Sequence, residues 1–377
     1  MLFFGANVIA NYWLQIPDAE MTLVALSPAI FFVAISSVMR GYFNGRQNIK
    51  ATARSQTIEQ VFKTALTIIL VEIIAVISNV STEWMAGGAT LATTLATMSG
   101  FGYLYLYYKT RSKEIAVEIK STVNYKYERV RTIIRRILVV SIPIALTAIM
   151  SSLNKNIDSF TVVRSLKQFM PEDMALSQYG ILGGKVDTLT SLPLSINVAF
   201  STALVPAISA AKARKDKKTI TEKTSFSLLT SMLIGLPCTI GMCIFAGPIL
   251  NLLFPKASDG TVILQISSLT ILFTILDQTI NGALQGYGKL KIPTISLGIG
   301  VLVKLILNLI LVPIPEIGVN GAAWASVACH AVAFTIAITA LRKNIKLNLT
   351  FSKFVIKPVL ATAIMGICSY FIYKRHF

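Results

Sequence analysis

An all-α, polytopic membrane protein made of two related lobes is what the sequence predicts, and three observations predict it. Of the 377 residues 54% are apolar and 14% charged, a balance that suits lipid better than water. The apolar residues gather in runs of about twenty, the length that crosses the hydrocarbon core of a bilayer. The chain also matches itself at a spacing of 241 residues.

Eleven spanning helices follow from the apolar runs. The first, 1–15, is short. The second, 22–43, holds MTLVALSPAIFFVAISSVM and ends in RGYFNGRQNIK; the third, 57–78, begins past that turn. A fourth run, 84–108, leads into KTRSKEIAVEIKSTVNYKYERVRTIIRR (109–136), a basic stretch that can form an amphipathic linker helix lying on the membrane surface. The fifth, 135–163, ends in LNKNIDSFTVVR, dense in polar groups for a span. The sixth, 179–210, opens on YGILGGKVDTL, where two glycines and the later Pro193 suggest a bent or broken helix with freed carbonyls. The remaining runs are 225–250, 261–284, 292–313, 319–341 and 354–373. Prolines 28, 193, 206, 237, 293 and 313 read as bends in spans rather than as loops.

The net charge of +18 invites a nucleic-acid reading, but its distribution argues against one. Lys and Arg number 26 on one alternating set of connections and four on the other, the asymmetry of basic loops facing the cytoplasm. The predicted location is the plasma membrane, with membrane lipids as partners and no nucleic acid. RGYFNGRQNIK then caps an outside-to-inside helix, its arginines drawn to the anionic inner leaflet. It lacks the Gly-x-x-x-x-Gly-Lys of a phosphate loop. Cys238, Cys243, Cys329 and Cys368 lie inside apolar runs without repeated spacing, and read as buried inert thiols. Two histidines are too few for a metal site or a catalytic triad, so no enzyme is expected.

Positions 4–71 align with 245–312 without a gap, and sixteen of the 68 pairs are identical, among them Gly41 with Gly282, Gly45 with Gly286, Ser55 with Ser296 and Lys63 with Lys304. An even number of crossings separates the copies, so the repeat is parallel, about an axis along the membrane normal. The second copy carries two spans, 135–163 and 179–210, ahead of the part that matches Phe4. The expectation is that a complete six-plus-six protein has two further spans before residue 1. The predicted organisation is an N-terminal lobe of four helices (1–108), a cytoplasmic linker (109–134), a C-terminal lobe of six helices (135–343) and an additional transmembrane helix (344–377).

The stretches PAIFFVAISSVMRGYFNGRQNIKATARSQTIEQVFKTAL, YGILGGKVDTLTSLPLSINVAFSTALVPAISAA and QGYGKLKIPTISLGIGVLVKLILNLILVPIPEIGVNGAAWAS resemble the stage V sporulation protein B and lipid II flippase (MurJ-like) branch of the multidrug/oligosaccharidyl-lipid/polysaccharide flippase superfamily. The resemblance runs over essentially the whole chain; Arg-Gly-Tyr-Phe followed by Ser-Gln-x-Ile-Glu-Gln carries most of its specificity. It implies a two-lobed MATE-like bundle entered at the family's third helix. It also implies movement of an undecaprenyl-pyrophosphate-linked glycan precursor, most plausibly lipid II for peptidoglycan, across the membrane by alternating access, with cell-wall synthesis machinery as a partner. Export of another lipid-linked polysaccharide, cation-coupled drug efflux and an inactive scaffolding paralogue remain the alternatives.

An ionisable side chain inside a span is costly unless it is paired or meets water, so each is a functional candidate. Lys63 and Lys304 are repeat mates, and pseudo-symmetry would bring both toward a shared inter-lobe cavity, where lysines can meet a pyrophosphate. The plainer reading pairs Lys63 with Glu59 at i, i+4. Lys155, Asp158 and Arg164 are candidates on the fifth span; an intramembrane Lys155–Asp158 pair at i, i+3 is the structural alternative. Lys185 and Asp187 flank the glycines of the sixth. Asp277 and Glu59 are the candidates for coupling to a proton or monovalent cation, with no organic cofactor or metal expected. Asp277, with Gln278 and Asn281, can equally be helix-to-helix hydrogen-bonding glue, and His330 reads as packing.

Overall fold

The computed structural model describes residues 2–13, 19–46, 48–76, 82–121, 128–255, 257–347, 350 and 352–376, and every regular element among them is helical. The chain separates into two units, 1–127 and 128–377.

In the first unit a short α1 (Leu2–Val8) runs into a π-helical turn (Ile9–Trp13) and is followed by α2 (Ala19–Gly45), α3 (Ile49–Val76) and α4 (Thr82–Ser121). α4 packs against both α2 and α3, with Phe43, Ala51 and Leu104 buried at its centre. Small residues allow the contact: Ala92 and Ala96 on α4 are fully buried. RGYFNGRQNIK closes the α2–α3 hairpin, where Thr52 Oγ1 donates to Asn44 Oδ1 at 2.7 Å and Asn48 Nδ2 to the Tyr107 hydroxyl at 3.0 Å. The linker differs from expectation. No proline or glycine interrupts residues 103–121, so the helix simply continues, and 109–121 extend α4 rather than forming a separate surface helix.

The second unit holds α5 (Val130–Leu166), α6 (Glu172–Gly180), α7 (Asp187–Ala213), α8 (Lys217–Ile244), α9 (Ala246–Leu253), α10 (Thr261–Gly286), α11 (Lys291–Leu311), α12 (Val319–Asn344) and α13 (Lys357–His376). The expected break after Tyr179 is a π-helical turn, Ile181–Val186, that joins α6 to α7 as one 42-residue apolar segment. The additional helix, α13, packs on α8, where Gly366 faces Ile240 and Ile244. Among the described residues of this unit three apolar cores form, one around Leu166, Leu182, Leu250 and Leu264, one around Ile208, Leu228, Ile280 and Leu341, and a smaller one of Leu297, Val301 and Cys329.

Close helix contacts depend on glycine. A Cβ on Gly282 would stand 2.7 Å from the Ser201 carbonyl, one on Gly286 2.7 Å from that of Val205, and one on Gly300 2.6 Å from that of Cys329. In lipid, where burying apolar side chains gains little, such backbone approach supplies the packing energy. Among the described residues eight helical segments are long and apolar enough to cross a membrane; of the eleven expected spans, those at 1–15, 57–78 and 84–108 are not among them. Large apolar side chains face outward along them, as on α5 at Ile137, Val139 and Ile142, as a lipid-facing surface requires. One thiol departs from expectation: Cys368 on α13 is exposed, whereas Cys329 is buried.

Candidate functional site

The polar centre of the second unit is assembled by two amphipathic stripes. On α5 the inward face is Asp158, Thr161, Val162, Ser165 and Leu166; on α11 it is Pro293, Ser296, Leu297, Gly300, Val301, Lys304 and Asn308. Both follow the three-and-four spacing of a helix face, and they bring a carboxylate and an ammonium together across the α5–α11 contact. Lys304 Nζ donates to Asp158 Oδ2 at 2.7 Å and to the Asn154 carbonyl at 2.9 Å. Asn308 Nδ2 donates to Asp158 Oδ1 and to Thr161 Oγ1, both at 2.9 Å. Lys304 is 3% and Asp158 6% exposed, so neither charge is paired with solvent. The group extends to α12: the Asn154 amide meets His330 Nε2 at 3.3 Å, and the Cys329 thiol donates to Asn154 Oδ1 at 3.5 Å. His330 thus belongs to a polar network rather than to apolar packing.

A second network ties α7, α8 and α10. Asn197, fully buried, donates to the Ile275 carbonyl at 2.9 Å and to Gln278 Oε1 at 3.1 Å, and accepts from the Ser231 hydroxyl at 2.8 Å. Ser201 donates to the Gln278 carbonyl at 2.7 Å. Beside it Asp277 is buried and receives a bond from Asn281 Nδ2 at 2.8 Å on Oδ2, while its Oδ1 has no hydrogen-bond partner. No cation pairs with it among the described residues.

In the first unit Arg40, near the end of α2, turns inward. Its Nη2 meets Glu59 Oε2 at 2.6 Å and Ser55 Oγ at 3.0 Å, and the Glu59 side chain lies against Gly100 of α4. This corrects two expectations. Glu59 pairs with Arg40, not with Lys63, and Arg40 serves the helix contact rather than the membrane surface. Arg40 was legible in principle, since an antiparallel hairpin sets residues at similar distances from its turn side by side, as Arg40 and Ser55 are, and Glu59 lies one helical turn beyond Ser55. Its other arginine, Arg46, folds over Tyr42 and donates to the hydroxyl at 2.8 Å.

The expected Lys155–Asp158 pair does not form, because Asp158 turns to Lys304 while Lys155 is exposed. Arg164 and Asp187 are exposed. Lys185, half-buried, donates to the Ala257 carbonyl at 2.6 Å and lies 5.5 Å from the centre of the Phe254 ring. The repeat mates Lys63 and Lys304 sit in unlike surroundings, Lys63 exposed and Lys304 buried. The register explains the difference. Lys304 is held by α5, and subtracting 241 from Asp158 reaches no position within residues 1–377, so Lys63 has no counterpart of that helix among them. The same holds for the glycines. Gly282 and Gly286 touch α7, whereas a Cβ on Gly41 or Gly45 would meet nothing within 4 Å.

A profile of the family described as lipid II flippase MurJ matches residues 28–376. Two relatives from Bacillus subtilis (strain 168) are each 25% identical: stage V sporulation protein B over 98% of this chain and 70% of its own length, and lipid II flippase MurJ over 81% of this chain and 57% of its own. The chain thus spans a little over half to about two thirds of the length of these relatives. Among solved structures, lipid II flippase MurJ in an inward closed conformation superposes with a TM-score of 0.63 at 18% identity, covering 95% of this chain and 68% of that one. The Vibrio cholerae MATE transporter VcmN in the bent form gives 0.67 at 13% identity, covering 91% and 74%. These two likenesses establish the fold. Together with the apolar helices and the family profile, they show that the chain is a multi-pass membrane protein of the lipid II flippase MurJ family.

Proposed function

We propose that the chain moves an undecaprenyl-pyrophosphate-linked glycan precursor, lipid II in the first instance, from the inner to the outer leaflet of a bacterial plasma membrane by alternating access. The observation that carries this reading is which intramembrane charges are left free. Asp158 is taken by Lys304 and Glu59 by Arg40. The candidate groups left without a counter-charge among the described residues are Lys63, Lys155, Arg164 and Lys185, exposed or half-buried, against Asp187 and the buried Asp277. That surplus is positive, and it suits a pyrophosphate better than a cationic drug. In this reading the basic loops face the cytoplasm, where cell-wall synthesis machinery makes the substrate. Lys304 and Asp158 then brace α5 against α11 instead of touching the cargo.

Asp277 is the group through which a proton or monovalent cation couples to transport. A buried carboxylate with an unsatisfied oxygen and no counter-charge is costly, and binding a cation there removes the cost. The test is rescue of cells depleted of their lipid II flippase, expressing residues 1–377 alone and within the longest open reading frame that contains them. Rescue with externally accessible precursor is expected, reduced by Lys63→Ala and Lys185→Ala at normal membrane levels. Failure of both forms to rescue or to expose precursor overturns the lipid II assignment. Transport that keeps its pH and cation dependence in Asp277→Asn overturns the coupling role.

A further inference from the structure

The start of α5 and the start of α11 form a basic groove with an apolar wall that the transport reading does not use. α5 has 37 residues, about 55 Å at 1.5 Å per residue, against a hydrocarbon core of about 30 Å. Its first two turns carry Arg131, Arg135 and Arg136 and precede the apolar run that begins at Ile137, so those turns lie at headgroup depth. Arg131 and Arg135, four residues apart on one helix face, line a cavity of about 780 Å³ together with Lys291, the first residue of α11. Below them Leu138, Ile142 and Pro143 continue the same cavity as apolar wall. Leu138 and Ile142 are half exposed and continuous with the lipid-facing side of α5.

The charges in this groove are unmatched. Arg136, beside it, is neutralised by both oxygens of Glu128 at 2.9 Å. Arg131, Arg135 and Lys291 have no acidic partner among the described residues, and no acid lines the cavity. Leu290 gives α11 no side-chain cap, so the positive end of that helix adds to the same field. The groove is also preformed: Thr294 Oγ1 donates to the Pro143 carbonyl at 3.0 Å and lies 2.6 Å from Thr147 Oγ1, which fixes α5 to α11 at its floor.

Three convergent cations above an exposed apolar wall match an amphiphile with a phosphate head. We propose that this groove binds the headgroup of an anionic phospholipid of the phosphatidylglycerol class, with an acyl chain lying along Leu138 and Ile142. A soluble phosphate shares the headgroup chemistry but gains nothing from the apolar wall, which favours the lipid. The site does not depend on what the chain transports.

The experiment reconstitutes the protein in nanodiscs of equal phosphatidylglycerol and phosphatidylcholine and measures the lipids retained on release into detergent by native mass spectrometry. Wild type is expected to retain phosphatidylglycerol in excess. Arg131→Gln/Arg135→Gln lowers that excess about twenty-five-fold, since each basic residue near an anionic surface contributes roughly a fivefold factor. Arg131→Lys/Arg135→Lys, which keeps the charge, and Arg136→Gln, whose charge is already matched, retain it. No enrichment in wild type, or equal enrichment in the double glutamine variant, overturns the proposal. Displacement of the lipid by millimolar inorganic phosphate identifies a soluble-anion site and overturns the lipid assignment.

Discussion

Replacing Lys304 by methionine, a side chain of similar length without charge, isolates the buried ion pair of the second unit. The substitution removes the bonds at 2.7 Å to Asp158 Oδ2 and 2.9 Å to the Asn154 carbonyl, and it leaves Asp158 with Asn308 alone at 2.9 Å. Stranding one charge of a buried pair costs about 3–5 kcal/mol. For a unit of this size each kcal/mol lowers the melting midpoint by about 2–4 °C, so a fall of about 10 °C is expected. Asp158→Leu alone strands Lys304 and has a similar effect. The double variant removes both charges and recovers most of the loss, since apolar replacement of a complete buried pair is often neutral. Thermal unfolding in detergent, followed by intrinsic fluorescence across the four proteins, reads the coupling directly. A Lys304→Met midpoint within about 2 °C of wild type, or a double variant as unstable as the sum of the singles, refutes the reasoning.

The glycine contacts give an asymmetric pair of outcomes. Gly282→Ala forces a Cβ to 2.7 Å from the Ser201 carbonyl and is expected to cost about 1–3 kcal/mol. Its repeat mate Gly41→Ala meets nothing and gains up to about 1 kcal/mol of helix propensity; melting midpoints that move together contradict the contact. Arg40→Gln strands Glu59 in the first unit, and a drop in thermal stability is expected that Arg40→Gln/Glu59→Gln largely restores. Asp216 caps α8, accepting from the Thr219 amide at 3.0 Å and its hydroxyl at 2.6 Å. The Thr219 hydroxyl, followed by its amide, holds the Asp216 carboxyl below its ordinary value of 3.8. Its contribution to stability is therefore complete above that value and fades as pH falls through the lower folded-state value. The midpoint difference between wild type and Asp216→Ala should accordingly shrink on acidification below pH 3.8; a difference that grows there refutes the cap.

Much of this molecule was readable before any coordinates. Helix positions followed from runs of apolar residues, because the bilayer forces each span to satisfy its own backbone hydrogen bonds and so ties structure to local composition. The repeat register was also a property of the sequence alone, and it was the register that later gave meaning to the difference between Lys63 and Lys304. The glycines before Lys185 correctly marked an irregularity; a bent or broken helix was expected, and a π-helical turn without a break was found. Helix continuity through residues 109–121 was missed because charge was read as a boundary, and charge by itself does not stop a helix.

Partners were what the sequence could not decide. Local spacing offered Lys63 with Glu59 and Lys155 with Asp158, each within one helix turn. The fold chose Arg40 with Glu59, 19 residues apart, and Lys304 with Asp158, 146 apart. A side chain inside a bilayer seeks the partner that also buries it, and on a spanning helix the inward direction is set by neighbouring helices. Sequence by itself placed these charges in or beside long apolar runs that read as spans. Which of them are neutralised in the protein and which stay free, and hence the positive surplus behind the proposed anionic substrate, was decided only when the helices packed.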